Sequence, residues 1–131
     1  IEEEKIMSQN HTKDLTILLA EDEEYNRMYI NELFSKTTYT IIEAFDGEMA
    51  VELFKKQDNI DIVLMDIKMP KMDGVEAMKI IKSLKSTPII ALSAFAMESD
   101  KKNALKEGFD NYLTKPINRK ALFKLLNEYA N

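Results

Sequence analysis

Residues 60–74 read IDIVLMDIKMPKMDG, and the rest of the chain arranges itself around this stretch. Ile62, Val63, Leu64, Met65 and Ile67 form an almost unbroken apolar run, with a single carboxylate, Asp66, near its C-terminal end. Such a run predicts a strand buried on both faces, as in a parallel sheet covered by helices, and therefore a place in the middle of the sheet. Open parallel sheets bind their ligands beyond the carboxyl ends of the strands, and Asp66 stands at that edge. Lys68 to Gly74 then forms a loop, stiffened by Pro70 and turned into the next helix by Asp73-Gly74. Taken alone, an acid here reads equally well as a strand-end cap.

On the N-terminal side, Tyr39 to Ala44 predicts a strand, Asp46-Gly47 a turn, and Glu48 to Lys56 a helix that buries Val51 or Ala50 with Leu53 and Phe54. Before these, Thr16 to Ala20 (TILLA) is another short apolar run ending in acid, Glu21 and Asp22. Glu23 to Lys36 follows with apolar residues at Ile30, Leu33 and Phe34, which is helical spacing. Residues 1–14 are polar, carry three consecutive glutamates and have no period that would bury a face, so they read as a linker or tail before a domain at 15–131. His11, the only histidine, lies there; a lone histidine in a polar tail is far more often solvated than a phosphoacceptor or metal ligand, since a metal site needs several ligands.

On the C-terminal side, Ala77, Met78, Ile81 and Leu84 form one stripe of a helix that ends before Pro88. Pro88 to Leu92 (PIIAL) is the fourth buried strand, and Ser93-Ala94 puts a hydroxyl at the edge that carries the acids. Met97 to Glu107 is helical by propensity, but Lys101 interrupts its apolar face and only Ala104 and Leu105 anchor its other end. It is expected to be the loosest helix, because a packed face stabilises a helix more than propensity does. Gly108 stops it, Asn111 to Thr114 is a fifth strand, and Lys115-Pro116 ends that strand with a cation. Leu122, Leu125, Leu126 and Tyr129 then mark an amphipathic helix begun by Asn118 as N-cap. Five βα units joined by right-handed crossovers predict an α/β, flavodoxin-like, doubly wound (βα)5 three-layer sandwich with parallel strand order 2-1-3-4-5.

The totals agree with one soluble domain. A chain of 131 residues can bury a core without metal or disulfide staples, and with no cysteine it has no thiolate chemistry. The net charge of −5 disfavours nucleic acid as a direct partner. The longest apolar stretch, Pro88 to Met97, is broken by Ser93 and too short to cross a membrane, so no membrane contact is expected of this domain. The start, IEEEK, is acidic where a signal peptide is basic and lacks an initiating methionine, which reads as a piece of a longer cytoplasmic polypeptide.

Strands one, three, four and five are neighbours in this order, so Glu21, Asp22, Asp66, Ser93 and Lys115 converge. Bare carboxylates a few ångströms apart repel by about 4 kcal/mol at a protein surface. A hard divalent cation held by oxygen ligands compensates; one or two carboxylates with waters and phosphate oxygens is the usual Mg2+ pattern. Lys115 adds a point charge suited to a phosphoryl group.

The acid pair Glu21-Asp22, Asp66 within LMDIKMPKMDG, Ser93-Ala94 after PIIAL, Tyr112, and Lys115-Pro116 within GFDNYLTKPI, in this order and spacing, resemble the receiver domain of two-component response regulators. The resemblance covers nearly everything from Asp14 to Asn131. It implies that Asp66 is the phosphoacceptor, taking a phosphoryl group from a phosphohistidine. It further implies that Asp22, Asp66 and the backbone carbonyl of Lys68 bind Mg2+ directly, and that Glu21 acts mostly through a coordinated water. Ser93 and Lys115 would contact the phosphoryl group, Ser93 and Tyr112 would form the switch, and Lys115-Pro116 would be a cis peptide. A domain of this kind catalyses its own phosphorylation and dephosphorylation. Glu21 and Ser93 stand where Asp and Thr are more frequent, while Lys68 and Phe95 border the site and tune the access of water.

Three other readings share parts of this pattern. A haloacid-dehalogenase-type phosphatase needs a second aspartate where Lys68 stands. A flavodoxin-like cofactor binder needs a phosphate-cradling loop, and the three glycines are scattered at Gly47, Gly74 and Gly108. The more serious alternative is a binding-only pseudo-receiver, whose usual mark is loss of an acid or the lysine. The style of ALSAFA and GFDNYLTKPI resembles the C-terminal receiver of a hybrid sensor histidine kinase, which would imply a membrane-anchored sensor kinase as the parent protein, with a free-standing regulator as the alternative. The implied partners are a histidine kinase or a histidine phosphotransfer protein. A homodimer would form through helix four, strand five and helix five.

Overall fold

Alternation of side chains across a single sheet explains the continuous apolar runs. The computed structural model describes residues 14–130. In chain order the elements are β1 (Thr16–Ala20), α1 (Glu24–Leu33), β2 (Thr40–Ala44), α2 (Gly47–Lys56), β3 (Ile62–Asp66), α3 (Gly74–Leu84), β4 (Ile89–Ser93), α4 (Glu98–Glu107), β5 (Asn111–Thr114) and α5 (Arg119–Ala130). The strands pair in parallel in the order β2-β1-β3-β4-β5, as expected from the sequence. Within β3, Val63 and Met65 face the layer of α2, α3 and α4, where Phe54, Met78, Ile81 and Ala104 are buried. Ile62 and Leu64 face the opposite layer, where Ile30, Leu33, Leu122, Phe123 and Leu126 of α1 and α5 are buried. Strands buried on both faces leave no polar positions, hence the unbroken run.

Three of the five helices, α2, α3 and α5, begin where a side chain satisfies a free N–H group. Asp46 accepts from the Met49 N–H at 2.8 Å, Asp73 from Glu76 at 2.9 Å and Asn118 from Ala121 at 2.9 Å. Each such cap stabilises by about 1 kcal/mol. The Asp73 cap also folds the segment after β3 back on itself. The Gly74 N–H donates to the Ile67 carbonyl at 2.8 Å, and a Cβ at position 74 would lie 2.1 Å from the Asp66 carbonyl oxygen, so only glycine permits this approach.

Several expectations need adjustment. Leu84 and Leu105 are exposed at the ends of their helices, so Ala104 is the one buried residue of α4, which packs even more sparsely than its pattern suggests. Phe123, outside the Leu122/Leu126 stripe, is buried because α5 packs against Phe34 as well as the sheet, with the two rings edge to face at 5.7 Å. Asp14 is tied to the domain by the Thr38 hydroxyl. His11 and the rest of the tail at 1–13 lie outside the described residues.

Candidate functional site

The carboxyl edge of the sheet is built by hydrogen bonds that run one residue beyond each strand. The Glu21 N–H donates to Ala44 at 3.0 Å, Ile67 to Leu92 at 3.1 Å, and Lys115 to Ser93 at 2.7 Å. Continuing the ladder holds the first residues past β1, β3 and β5 as firmly as the strands themselves. Glu21, Asp22, Asp66, Ser93 and Lys115 therefore meet at one rim, as the strand order demands. Asp66 is 5% exposed and Glu21 fully buried. One carboxylate oxygen from each of Glu21, Asp22 and Asp66 lies within 4.8 Å of the others.

Lys115 stands between two of the acids. Its Nζ is 2.7 Å from Glu21 Oε1 and 3.0 Å from Asp66 Oδ2. The approach to Glu21 Oε1 is oblique, so this buried oxygen has close ionic contact but no aligned hydrogen bond. Glu21 Oε2 accepts the Glu23 N–H at 3.0 Å, and Asp66 Oδ1 accepts the Lys68 N–H at 3.2 Å. Burial pushes the Asp66 carboxyl up to about 6; the Lys115 hydrogen bond pulls it down, and the Glu21 charge pushes it up again. Burial would also raise Glu21, but Lys115 and the Glu23 N–H outweigh it and hold Glu21 below the ordinary carboxylate range. Burial would lower Lys115, yet its two carboxylate partners raise it. Two buried carboxylates thus share one ammonium, with Asp22 alongside, and the cluster carries more negative charge than its lysine neutralises. An under-satisfied buried oxygen within an oxygen-only donor set fits a small hard cation such as Mg2+.

In front of the acids lies a cavity of about 220 Å³ lined by Asp22, Glu23, Asp66, Lys68, Ser93, Ala94, Phe95 and Lys115. Larger depressions, of about 580 Å³ over α2 and 420 Å³ over α1, bring no comparable set of buried groups together. Ser93 Oγ accepts the Phe95 N–H at 3.1 Å, which leaves its proton available to a ligand oxygen. The Lys68 ammonium lies over the Phe95 ring, 4.7 Å from its centroid, across the mouth of the cavity. Tyr112 does not line the cavity. Its ring is already buried, and its hydroxyl donates to the Phe95 carbonyl at 2.5 Å. Lys115-Pro116 is cis, as the resemblance implied. Sequence reasoning missed Arg27, whose guanidinium donates to the Glu21 carbonyl at 2.8 Å, because no local pattern marks a contact between a side chain and a backbone oxygen six residues earlier.

A family model described as the response regulator receiver domain matches residues 17–127. The chain belongs to this receiver family. The hybrid signal transduction histidine kinase I of Dictyostelium discoideum is 38% identical over 120 residues, covering 85% of this chain and 7% of that kinase. The chain spans less than half the length of this and the other curated relatives of similar identity. Among solved structures, the receiver domain of the sensor histidine kinase PA1611 from Pseudomonas aeruginosa PAO1 has a TM-score of 0.80 at 33% identity, covering 90% of this chain and 98% of that one. That structure has a magnesium ion coordinated in its active site cleft. The receiver domain of Saccharomyces cerevisiae Ssk1, in complex with the histidine phosphotransfer protein Ypd1, has a TM-score of 0.83 at 28% identity over 89% of each chain. The receiver is thus a two-component signalling domain, and no helix among its described residues is long and apolar enough to cross a membrane.

Proposed function

We propose that this receiver takes a phosphoryl group onto Asp66 from a phosphohistidine in a Mg2+-dependent reaction. The observation that carries the reading is the buried cluster of Glu21, Asp22 and Asp66 around Lys115, facing a cavity with a hydroxyl on its opposite wall. Asp22, Asp66 and the Lys68 carbonyl would hold Mg2+, with Glu21 acting through a water. When bound, Mg2+ would supply charge neutralisation to the phosphoryl oxygens. An Asp66 carboxylate oxygen attacks the phosphorus of a phosphohistidine protonated on its other ring nitrogen, the P–N bond breaks, and its electron pair leaves with the imidazole nitrogen, giving an acyl phosphate and neutral histidine. Asp66 has to be ionised, and with a pKa of about 6 it is mostly carboxylate at pH 7. Lys115 then follows the negative charge onto the phosphoryl oxygens.

Ser93 turns its hydroxyl to the new phosphoryl group, which carries roughly −1.5 to −2 charges by analogy with phosphorylated hydroxyl residues. The Phe95 N–H loses its acceptor, and Phe95 is also the residue to which the Tyr112 hydroxyl is bonded, so the segment between β4 and α4 shifts with it. Sparse packing of α4 lets that shift spread to the α4–β5–α5 face, where a second copy would dock. The donor or acceptor is a histidine kinase or histidine phosphotransfer protein, and the parent chain is a hybrid sensor kinase with this domain in the cytoplasm; the relatedness to a hybrid kinase supports this. The test is transfer from a phosphorylated histidine phosphotransfer protein, followed on phosphate-affinity gels. Transfer to the wild type that stops with EDTA and in Asp66→Ala supports the reading; transfer indifferent to both overturns it.

A further inference from the structure

Arg27 lies outside the cavity, lining the depression over α1, and is engaged through two of its nitrogens and one face. Its side chain is 12% exposed. One terminal nitrogen donates to the Glu21 carbonyl at 2.8 Å, and Nε lies 3.8 Å from Glu43 Oε2 on β2. The guanidinium plane covers the Phe45 ring, 4.1 Å from its centroid. Asn31, one turn further along α1, donates to both Glu43 Oε2 at 3.2 Å and the Arg27 carbonyl at 2.9 Å, fixing the partner that orients the guanidinium.

The bonded carbonyl belongs to the peptide unit that joins Glu21 to Asp22. The Glu21 N–H is already bonded to Ala44 and its side chain accepts the Glu23 N–H. The Glu21 carbonyl is then the next backbone group of the turn to be held, and rotation of its peptide unit would swing the Asp22 carboxylate, the more exposed member of the acid cluster. We infer that Arg27 is a positioning residue that clamps the Glu21–Asp22 peptide against β2 and so aims Asp22 at the metal. This rests on the proposed Mg2+ site. A planar fork is required: the same group has to offer an edge to the carbonyl and a face to Phe45, which a lysine ammonium cannot do. Residues that orient metal ligands without touching the metal are typically worth 10–100-fold in affinity.

Two simpler roles for Arg27 predict different results. If it acted only through its charge, removing a cation close to a cation site would strengthen Mg2+ binding. If it only stabilised the fold, its loss would lower the melting temperature and leave the Mg2+ dissociation constant unchanged. A clamp predicts weaker binding even when the charge is kept.

The experiment is calorimetric titration with Mg2+ alone of the wild type, Arg27→Lys, Arg27→Met and Glu43→Gln, with circular dichroism to verify folding. Arg27→Lys and Arg27→Met are each expected to bind Mg2+ about tenfold more weakly. Glu43→Gln, which loosens the guanidinium without removing it, should fall between them and the wild type. Labelling by acetyl phosphate should recover to the wild-type rate at saturating Mg2+ in Arg27→Lys, since the chemical groups are intact. Wild-type affinity in folded Arg27→Lys, or tighter binding in Arg27→Met, overturns the inference and leaves the Mg2+ site standing. If the arginine variants do not fold, unchanged affinity in Glu43→Gln overturns it. Absence of Mg2+ binding by the wild type overturns both the inference and the reading on which it rests.

Discussion

Replacing Asp66 with asparagine should make the metal-free domain more stable. Asp66 is 5% exposed, and burial together with the neighbouring Glu21 charge moves its carboxyl from 3.8 to about 6. A shift of about 2 units at 1.36 kcal/mol each means that holding this side chain ionised at pH 7 costs about 3 kcal/mol. Asparagine copies the shape of the neutral acid and removes that cost. The substitution gives up the Lys115 contact at 3.0 Å, but that attraction is already included in the net upward shift. We expect Asp66→Asn to gain about 2–3 kcal/mol in EDTA at pH 7, about 10 °C in melting temperature for a domain of this size. The sign reverses the usual carboxylate case. A group whose folded pKa is raised contributes its full stability below the unfolded value and loses it as pH rises through the folded one. The advantage of the variant is therefore near zero at pH 4 and complete by about pH 7. Saturating Mg2+ should narrow the gap, because the cation stabilises the carboxylate form and binds the variant less well. Urea and thermal unfolding followed by circular dichroism, from pH 4 to 8, decide the matter. A variant no more stable than the wild type at pH 7, or a gain independent of pH, would refute the reasoning.

Further outcomes follow from the same geometry. Lys115→Met leaves Glu21 and Asp66 without their shared cation and should lower stability to urea at pH 7 by about 3 kcal/mol, less in acid as the carboxylates take up protons. Gly74→Ala places a Cβ 2.1 Å from the Asp66 carbonyl oxygen; it should cost about 3 kcal/mol in urea unfolding and slow acetyl phosphate labelling, because the phosphoacceptor strand end has to move. Amides of α4, with Ala104 its one buried residue, should exchange with deuterium at least about tenfold faster than those of α3, which buries Ala77, Met78 and Ile81. Labelling of Asp66 at low Mg2+ should fall as pH drops through about 6, since the attacking group is the carboxylate, and added Mg2+ should move that midpoint lower.

The sequence made the sheet and its rim legible because both follow from patterns local to the chain. Apolar runs such as IVLM have to be buried on both faces, and the residue that ends each run has to stand at the carboxyl edge. The cap at Asn118 was equally local, as were the turns at Asp46-Gly47 and Asp73-Gly74, whose aspartates the structure shows to be caps as well, each resting on a contact three residues away. Contacts made through the fold were not legible. Lys115 sits between Glu21 and Asp66 because β5 and β1 flank the central strands, a juxtaposition that strand order implies only loosely. The burial of Phe123 depends on Phe34, just past the end of α1. The bond from the Tyr112 hydroxyl to the Phe95 carbonyl, seventeen residues earlier, likewise leaves no mark in the local pattern. Arg27 gave no signal at all, since its partners are a backbone oxygen and the side chains of Glu43 and Phe45 on and beside β2.

The most direct measurement is intact mass after incubation with acetyl phosphate, with and without Mg2+, followed by borohydride reduction of the acyl phosphate and peptide mapping by tandem mass spectrometry. The prediction is a single phosphoryl addition that requires Mg2+, maps to Asp66 in the peptide spanning residues 60–74, and is lost in Asp66→Ala. No addition to folded wild-type protein, or a label that maps to Asp22 or persists in Asp66→Ala, would contradict the assignment of Asp66 as the phosphoacceptor.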